Sequence, residues 1–131
     1  MSVGKDDFMH HVLVVEDEAN LLKLVSVNLV SRGYDVSEAK NGSQALDHLH
    51  LKLPSLMVLD IKLPDFIGWD LLKQIGRDPQ IPAPFPVLVM TASITDAYVD
   101  LRLYPSVTEI LIKPFSSAKL VAAVERSLKK N

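Results

Sequence analysis

The run Leu56-Met57-Val58-Leu59 ends in a carboxylate, Asp60, and it constrains the fold more than any other stretch of the chain. Its apolar side chains do not alternate with polar ones, so a strand built from them is buried on both faces. A charge inside such a strand is costly, whereas Asp60 at its last position can face solvent. Pro64 cannot continue a central strand, and Asp65 and Gly68 favour a turn, so the strand stops here.

The same sentence is written again along the chain. His11 to Val15 reads as a second buried strand and ends in Glu16-Asp17-Glu18. Ala19 to Arg32 follows as a helix with Leu21, Leu22, Val25, Leu29 and Val30 at helical spacing, and Gly33 supplies a stop. Tyr34 to Ala39 has the mixed polarity of an edge strand. Asn41-Gly42-Ser43 is a turn that can cap a helix from Gln44 to about Leu51. After the Asp60 strand, Gly68 to Ile75 carries the helical stripe Trp69, Leu71, Leu72 and Ile75. Arg77 to Pro86, with Pro79, Pro82, Pro84 and Pro86, reads as a rigid surface loop. Val87 to Met90 is another buried strand, followed by Thr91. Ile94 to Leu103 reads as a helix with no clean apolar stripe, stopped by Pro105. Glu109 to Ile112 is the last strand and runs into Lys113-Pro114-Phe115. Ser116 or Ser117 caps a final helix with Leu120, Val121, Val124 and Leu128 inside, and Lys129-Lys130 suits its C-terminal dipole.

Buried strands alternating with amphipathic helices predict an α/β fold, a doubly wound five-stranded parallel sheet with helices on both faces. The order expected for such a sheet is 2-1-3-4-5, with ligands outside the carboxyl ends of the strands, at the switch between strands 1 and 3. A length of 131 residues suits one domain, taken as residues 11–131 after a tail of residues 1–10. The absence of cysteine excludes disulfides and thiolate metal sites and fits a cytoplasmic location. With 14 basic and 16 acidic residues the chain offers no basic nucleic-acid surface, and no apolar run approaches a membrane span. His10-His11 stands at a strand entrance and reads as incidental rather than metal-binding.

The topology gives the strand ends a meaning. Strand 1 ends in Glu16-Asp17, strand 3 in Asp60, strand 4 in Thr91 and strand 5 in Lys113, all on one rim. Singly, each has a bland reading: helix-start acids, a loop carboxylate, a capping hydroxyl, a solvated lysine. Together they make a chemistry. Adjacent carboxylates repel unless a cation neutralises them, and a small set of hard oxygen ligands favours Mg²⁺, which keeps several waters and binds alongside phosphate. A carboxylate oxygen in such a site can attack an in-line phosphoryl group, with Lys113 offsetting its charge and Thr91 donating a hydrogen bond.

The stretches Val12-Leu13-Val14-Val15-Glu16-Asp17-Glu18, Leu59-Asp60-Ile61-Lys62-Leu63-Pro64 with Gly68, Val89-Met90-Thr91-Ala92 and Ile112-Lys113-Pro114-Phe115 resemble response-regulator receiver domains of two-component signalling. The resemblance runs from Val12 to Leu128. It implies that Asp60 accepts a phosphoryl group from the phosphohistidine of a sensor histidine kinase or histidine phosphotransfer protein. It implies that Glu16, Asp17, Asp60 and the backbone carbonyl of Lys62 hold Mg²⁺, directly or through water, that Thr91 and Lys113 bind phosphoryl oxygens, and that Lys113-Pro114 is cis. The domain would then be a signalling phosphoacceptor rather than an enzyme, and phosphorylation would switch its interaction with an output domain or partner outside this chain.

Three positions depart from the family pattern. Phe66-Ile67 makes the loop before Gly68 more apolar than usual, and Pro105-Ser106-Val107 replaces a small-residue turn. Ile110 stands where Tyr or Phe is common, so a buried isoleucine in one rotamer and a weak switch at that face are expected. The alternative is a pseudo-receiver that docks a partner without phosphorylation, which the intact strand-end residues argue against. A Mg²⁺-dependent phosphohydrolase of similar topology would usually carry a second aspartate where Lys62 stands, and a flavin binder would not place Glu16-Asp17-Glu18 against a phosphate.

Overall fold

A computed structural model describes residues 10–81 and 84–129. Five strands, β1 (His11–Val15), β2 (Asp35–Ala39), β3 (Leu56–Asp60), β4 (Val87–Thr91) and β5 (Val107–Ile112), pair side by side in the order β2-β1-β3-β4-β5. Every pairing is parallel. Helices α1 (Ala19–Val30), α2 (Gly42–Leu51) and α3 (Gly68–Arg77) make the first three crossovers, β4 passes to β5 through a single α turn, α4 (Ile94–Ala97), and a 3-10 turn, Leu101–Leu103, and helix α5 (Ser117–Lys129) follows β5. The expected doubly wound parallel sheet is therefore the observed one. The proposed tail lies outside the described residues except for His10.

Successive side chains of β1, β3 and β4 enter opposite cores, which is why their sequences read as unbroken apolar runs. Val12, Val14, Leu56, Val58, Leu88 and Met90 pack under α1 and α5, against Leu22, Val25, Leu29, Leu120 and Val124. Leu13, Val15, Met57, Leu59 and Val89 pack under α2 and α3, against Ala45, Leu49, Leu71, Leu72 and Ile75. The edge strand β2 gives Val36 to the first core and Ala39 to the second, matching its mixed polarity.

Several boundaries differ from the sequence reading. Helix α1 stops at Val30 rather than Arg32, and Gly33, at φ 91°, adopts the left-handed conformation that ends it. Val30, at the end of the apolar set, is 57% exposed, because Leu22, Val25 and Leu29 define a face from which it is turned by about 100°. Helix α2 begins at Gly42, two residues before the expected start, with the Asn41 side chain accepting from the Gln44 N–H at 2.8 Å. Helix α3 continues to Arg77. The segment after it is not wholly a surface loop, since Ile81 and Phe85 are buried in the core while Pro79 and Pro84 stay outside. Pro82 lies outside the described residues.

The expected helix over Ile94–Leu103 is broken into two short turns. Without an apolar stripe it has no face to bury, and Ile94, Tyr98 and Leu103 are 63%, 82% and 66% exposed. Strand β5 begins at Val107 rather than Glu109, because Val87 pairs with Val107 while Leu88 pairs with Glu109, leaving Thr108 as an extra residue. Its hydroxyl bonds the Val87 carbonyl at 3.2 Å and the Ser127 hydroxyl at 2.6 Å. His11 bonds Asp35 directly across the β1–β2 pair, Nδ1 to Oδ2 at 2.9 Å, so it is used within the sheet.

Candidate functional site

Strand register places the charged residues. Val15 pairs with Leu59, so the next residues, Glu16 and Asp60, leave the sheet side by side. Asp60 pairs with Met90 and Thr91 with Ile112, which puts Thr91 and Lys113 one step further along the same rim. The backbone then ties the rim together: Glu16 N–H donates to the Ala39 carbonyl at 3.0 Å, Ile61 N–H to Met90 at 3.1 Å and Lys113 N–H to Thr91 at 2.8 Å. The Lys113-Pro114 bond is cis.

Gly68 brings α3 close to this rim. A Cβ there would lie 2.9 Å from the Ile61 Cα and 3.1 Å from the Asp60 carbonyl oxygen, too near for any side chain. Its N–H instead donates to the Ile61 carbonyl at 2.6 Å. Between them, Lys62 bridges to Ile67 in an antiparallel pair, closing the loop that follows Asp60.

Lys113 is the centre of the charge arrangement. Its Nζ donates to Glu16 Oε1 at 2.8 Å and to Asp60 Oδ1 at 3.0 Å. Glu16 and Asp60 are buried, 1% and 4% exposed, and Asp17 is exposed beside them. Carboxylate oxygens of all three lie within 4.8 Å of one another. The other Glu16 oxygen accepts from the Glu18 N–H at 3.0 Å. Glu18 itself is a helix-start acid, accepting from the N–H groups of Asn20 and Leu21 at the first turn of α1. The helix-start reading thus fits Glu18, whereas the buried Glu16 is bonded to Lys113 instead.

Burial pushes the carboxyls of Asp60 and Glu16 above their ordinary range, against the opposing pull of the Lys113 ammonium. The negative charge of Asp17 adds to the rise at Asp60, and a Lys62 N–H bond opposes it. Burial lowers the Lys113 pKa, but Glu16 and Asp60 more than offset this and hold it raised, so the ammonium stays charged. Three carboxylates face one ammonium, which leaves a negative surplus in a mostly buried site. Hard oxygen donors with such a surplus fit a small divalent cation, and this arrangement can hold one.

Thr91 is 1% exposed, and its hydroxyl is not bonded to the side chains of these groups. Its Oγ1 accepts from the Ser93 N–H at 3.1 Å and can donate to the Ser93 carbonyl at 3.3 Å or to Asp96 Oδ2 at 3.5 Å. The structure therefore gathers Glu16, Asp17, Asp60 and Lys113, keeps the Lys62 backbone at the edge of the group, and leaves Thr91 turned toward the next loop. Ile110 is half-buried rather than buried, and it packs on the core that contains Trp69 and Tyr104.

Two acidic residues make contacts for which the sequence carries no local signal. Asp96 lies in the stretch with no helical stripe, and its link to Thr91 shows only in three dimensions. Asp65, read as a turn former, accepts from the N–H groups of Gly42 and Ser43 at 2.7 and 2.9 Å, partners more than twenty positions away.

Residues 12–125 match the family model described as the response regulator receiver domain. Over 120 residues the chain is 33% identical to the alkaline phosphatase synthesis transcriptional regulatory protein PhoP of Bacillus subtilis, covering 92% of this chain and 49% of that protein. It is 30% identical over 126 residues to the DNA-binding response regulator MtrA of Mycobacterium tuberculosis, covering 96% of this chain and 54% of MtrA. The chain thus spans about half the length of these curated relatives. Among solved structures, the chemotaxis response regulator CheY4 of Vibrio cholerae superposes with a TM-score of 0.80 at 25% identity, covering 91% of this chain and 98% of CheY4. A CheY-like receiver domain protein of Methanospirillum hungatei gives a TM-score of 0.80 at 23% identity, covering 93% and 95% of the two chains, and supports the fold. The chain belongs to the response regulator receiver domain family of two-component signalling.

Proposed function

We propose that this chain is a working phosphoacceptor and not merely a receiver-shaped docking module. The observation that carries this reading is the half-buried Lys113 ammonium, held between the buried Glu16 and Asp60 at 2.8 and 3.0 Å, with Asp17 completing a carboxylate cluster. A module that only docks a partner needs no such cluster, because buried charge is expensive to maintain.

Asp60 is the acceptor. Its carboxylate oxygen attacks the phosphorus of a phosphohistidine, a P–O bond forms as the P–N bond breaks, and the departing imidazole nitrogen keeps the electron pair. The product is an aspartyl phosphate. Glu16, Asp17, Asp60 and the Lys62 carbonyl would hold Mg²⁺, directly or through water, and the cation would supply charge neutralisation at the phosphoryl oxygens. Lys113, already bonded to Asp60, is positioned to follow the phosphoryl group with its charge. Thr91 supplies a hydroxyl from the adjacent strand end. The donor is a sensor histidine kinase or histidine phosphotransfer protein in the cytoplasm. The receiver spans residues 11–131 after a tail of residues 1–10, and its phosphorylation switches contact with an output domain or partner protein outside this chain. No helix of the described residues is long and apolar enough to cross a membrane.

Incubation with a small phosphodonor such as phosphoramidate and Mg²⁺ is expected to add the mass of one phosphoryl group. Asp60→Asn or a chelator should abolish the addition. Uptake at another primary site in Asp60→Asn, or uptake indifferent to chelator, would contradict the assignment, and no uptake at all would favour the docking module.

A further inference from the structure

Asp96 is held from two sides. Its carboxylate oxygen lies 3.5 Å from the Thr91 hydroxyl, and its backbone carbonyl accepts from the Trp69 indole N–H at 3.2 Å. Trp69 stacks on Tyr104, ring centroids 4.8 Å apart at a tilt of 41°, and both rings are only 8% exposed. A chain of contacts thus leads from the rim to the aromatic pair, with Asp96 as the joint between Thr91 and Trp69.

We propose that Asp96 is a positioning residue: it keeps the Thr91 hydroxyl turned away from Asp60 at rest, and its release relays phosphorylation to Trp69 and Tyr104. This inference rests on the phosphoacceptor reading given above. Three physical points support it. The Thr91 hydroxyl has one proton and two acceptors, Ser93 at 3.3 Å and Asp96 at 3.5 Å, both longer than the usual O–H···O distance of about 2.7–2.8 Å. A hydroxyl that donates so loosely is readily redirected to donate to a charged phosphoryl oxygen, whose hydrogen bond is stronger. Second, α4 is a single turn, Ile94–Ala97, too short to hold its own conformation, so the anchors at Asp96 matter to its placement. Third, Ile110 packs in the same core as Trp69 and Tyr104 but offers no polar side-chain atom through which to follow Thr91. Asp96 offers both a carboxylate and a bonded carbonyl.

Trp69 is the only tryptophan in the chain, so its emission reads the far end of the relay directly. The test uses the full chain with Mg²⁺ alone and then with Mg²⁺ and beryllium fluoride as the phosphoryl mimic, with phosphoryl uptake from phosphoramidate followed by mass in parallel. In the wild type, the mimic is expected to change Trp69 emission beyond the effect of Mg²⁺. Asp96→Ala should still take up a phosphoryl group but lose most of that emission change. Asp96→Ser, too short to reach Thr91, should show the same loss and serves if the alanine variant fails to fold. Asp96→Asn keeps an acceptor oxygen and should restore most of the change, which a merely structural effect of any substitution would not do. A wild-type-sized emission change in Asp96→Ala or Asp96→Ser, or wild-type uptake with unchanged emission, overturns the relay alone. Absence of uptake in the wild type overturns the phosphoacceptor reading and the relay with it.

Discussion

Ser26 and Glu16 show how differently this chain treats buried polar atoms. Lys113 Nζ, Glu16 and Asp60 satisfy one another at the rim, and the second Glu16 oxygen is met by the Glu18 N–H. The Ser26 hydroxyl, on the buried face of α1, is the one buried side-chain polar atom of the described residues without a hydrogen-bond partner. Its desolvation is uncompensated, and alanine is the better helix former. Ser26→Ala should therefore stabilise the domain by about 0.5–1.5 kcal/mol, read as a higher denaturant midpoint at unchanged slope. A loss of about 1 kcal/mol instead would show that the hydroxyl is satisfied by bound water. The residue scale also separates what was legible in the sequence. Asp60 and Glu16 could be placed because unbroken apolar runs fix where their strands end. The pairing of Lys113 could not, since a lysine after a strand reads equally well as solvated until its two carboxylate partners are in view.

Helix α2 shows an element whose start is set from outside. Its first N–H groups have no intrahelical acceptors. Asp65 meets two of them, at Gly42 and Ser43, and Asn41 meets the third, at Gln44. The Phe66 ring covers Gly42 so closely that a Cβ would overlap it. The Asn41 cap is local and legible, but the Asp65 clasp crosses from the loop after β3, so local signals alone place the helix start two residues late. The α4 region makes the converse point: its lack of an apolar stripe was visible, and the broken element follows from it. Asp65→Ala should cost about 1 kcal/mol, the usual worth of an N-terminal cap. Burial alone would raise the Asp65 carboxyl, but the Gly42 and Ser43 N–H groups outweigh it and hold it below the ordinary range. A folded pKa below the unfolded one means the contribution is complete above the unfolded value and lost as pH falls through the folded one. The stability gap between wild type and Asp65→Ala should thus be constant from neutral pH to about pH 5 and shrink below about pH 4. A gap that widens with acid would show that Asp65 is not held as its carboxylate.

At the scale of the whole molecule, the fold carries an electrostatic load at one end of its sheet. The cores on both sheet faces are apolar, and the carboxyl ends of β1 and β3 collect three carboxylates against one ammonium. Such a site is maintained for function at the expense of stability, and relieving it should make the domain more stable. Asp60→Asn removes one desolvated charge beside Glu16 and Asp17 while leaving the Lys113–Glu16 bond in place. Without divalent cation, this variant should gain on the order of 1 kcal/mol, a shift of roughly 3–5 °C in Tm for a domain of this size. Mg²⁺ should then reverse the ranking's cause. Binding to the folded state stabilises wild type by RT ln(1 + [Mg²⁺]/Kd), about 2.7 kcal/mol at one hundred times Kd. In Asp60→Asn the increment should be distinctly smaller, because the surplus charge that attracts the cation has been reduced. Thermal unfolding of both proteins with chelator and across a Mg²⁺ titration reads the two effects separately. A lower Tm for Asp60→Asn in chelator would mean that the Lys113–Asp60 attraction outweighs the repulsion. Equal Mg²⁺ increments in the two proteins would place the cation away from Asp60.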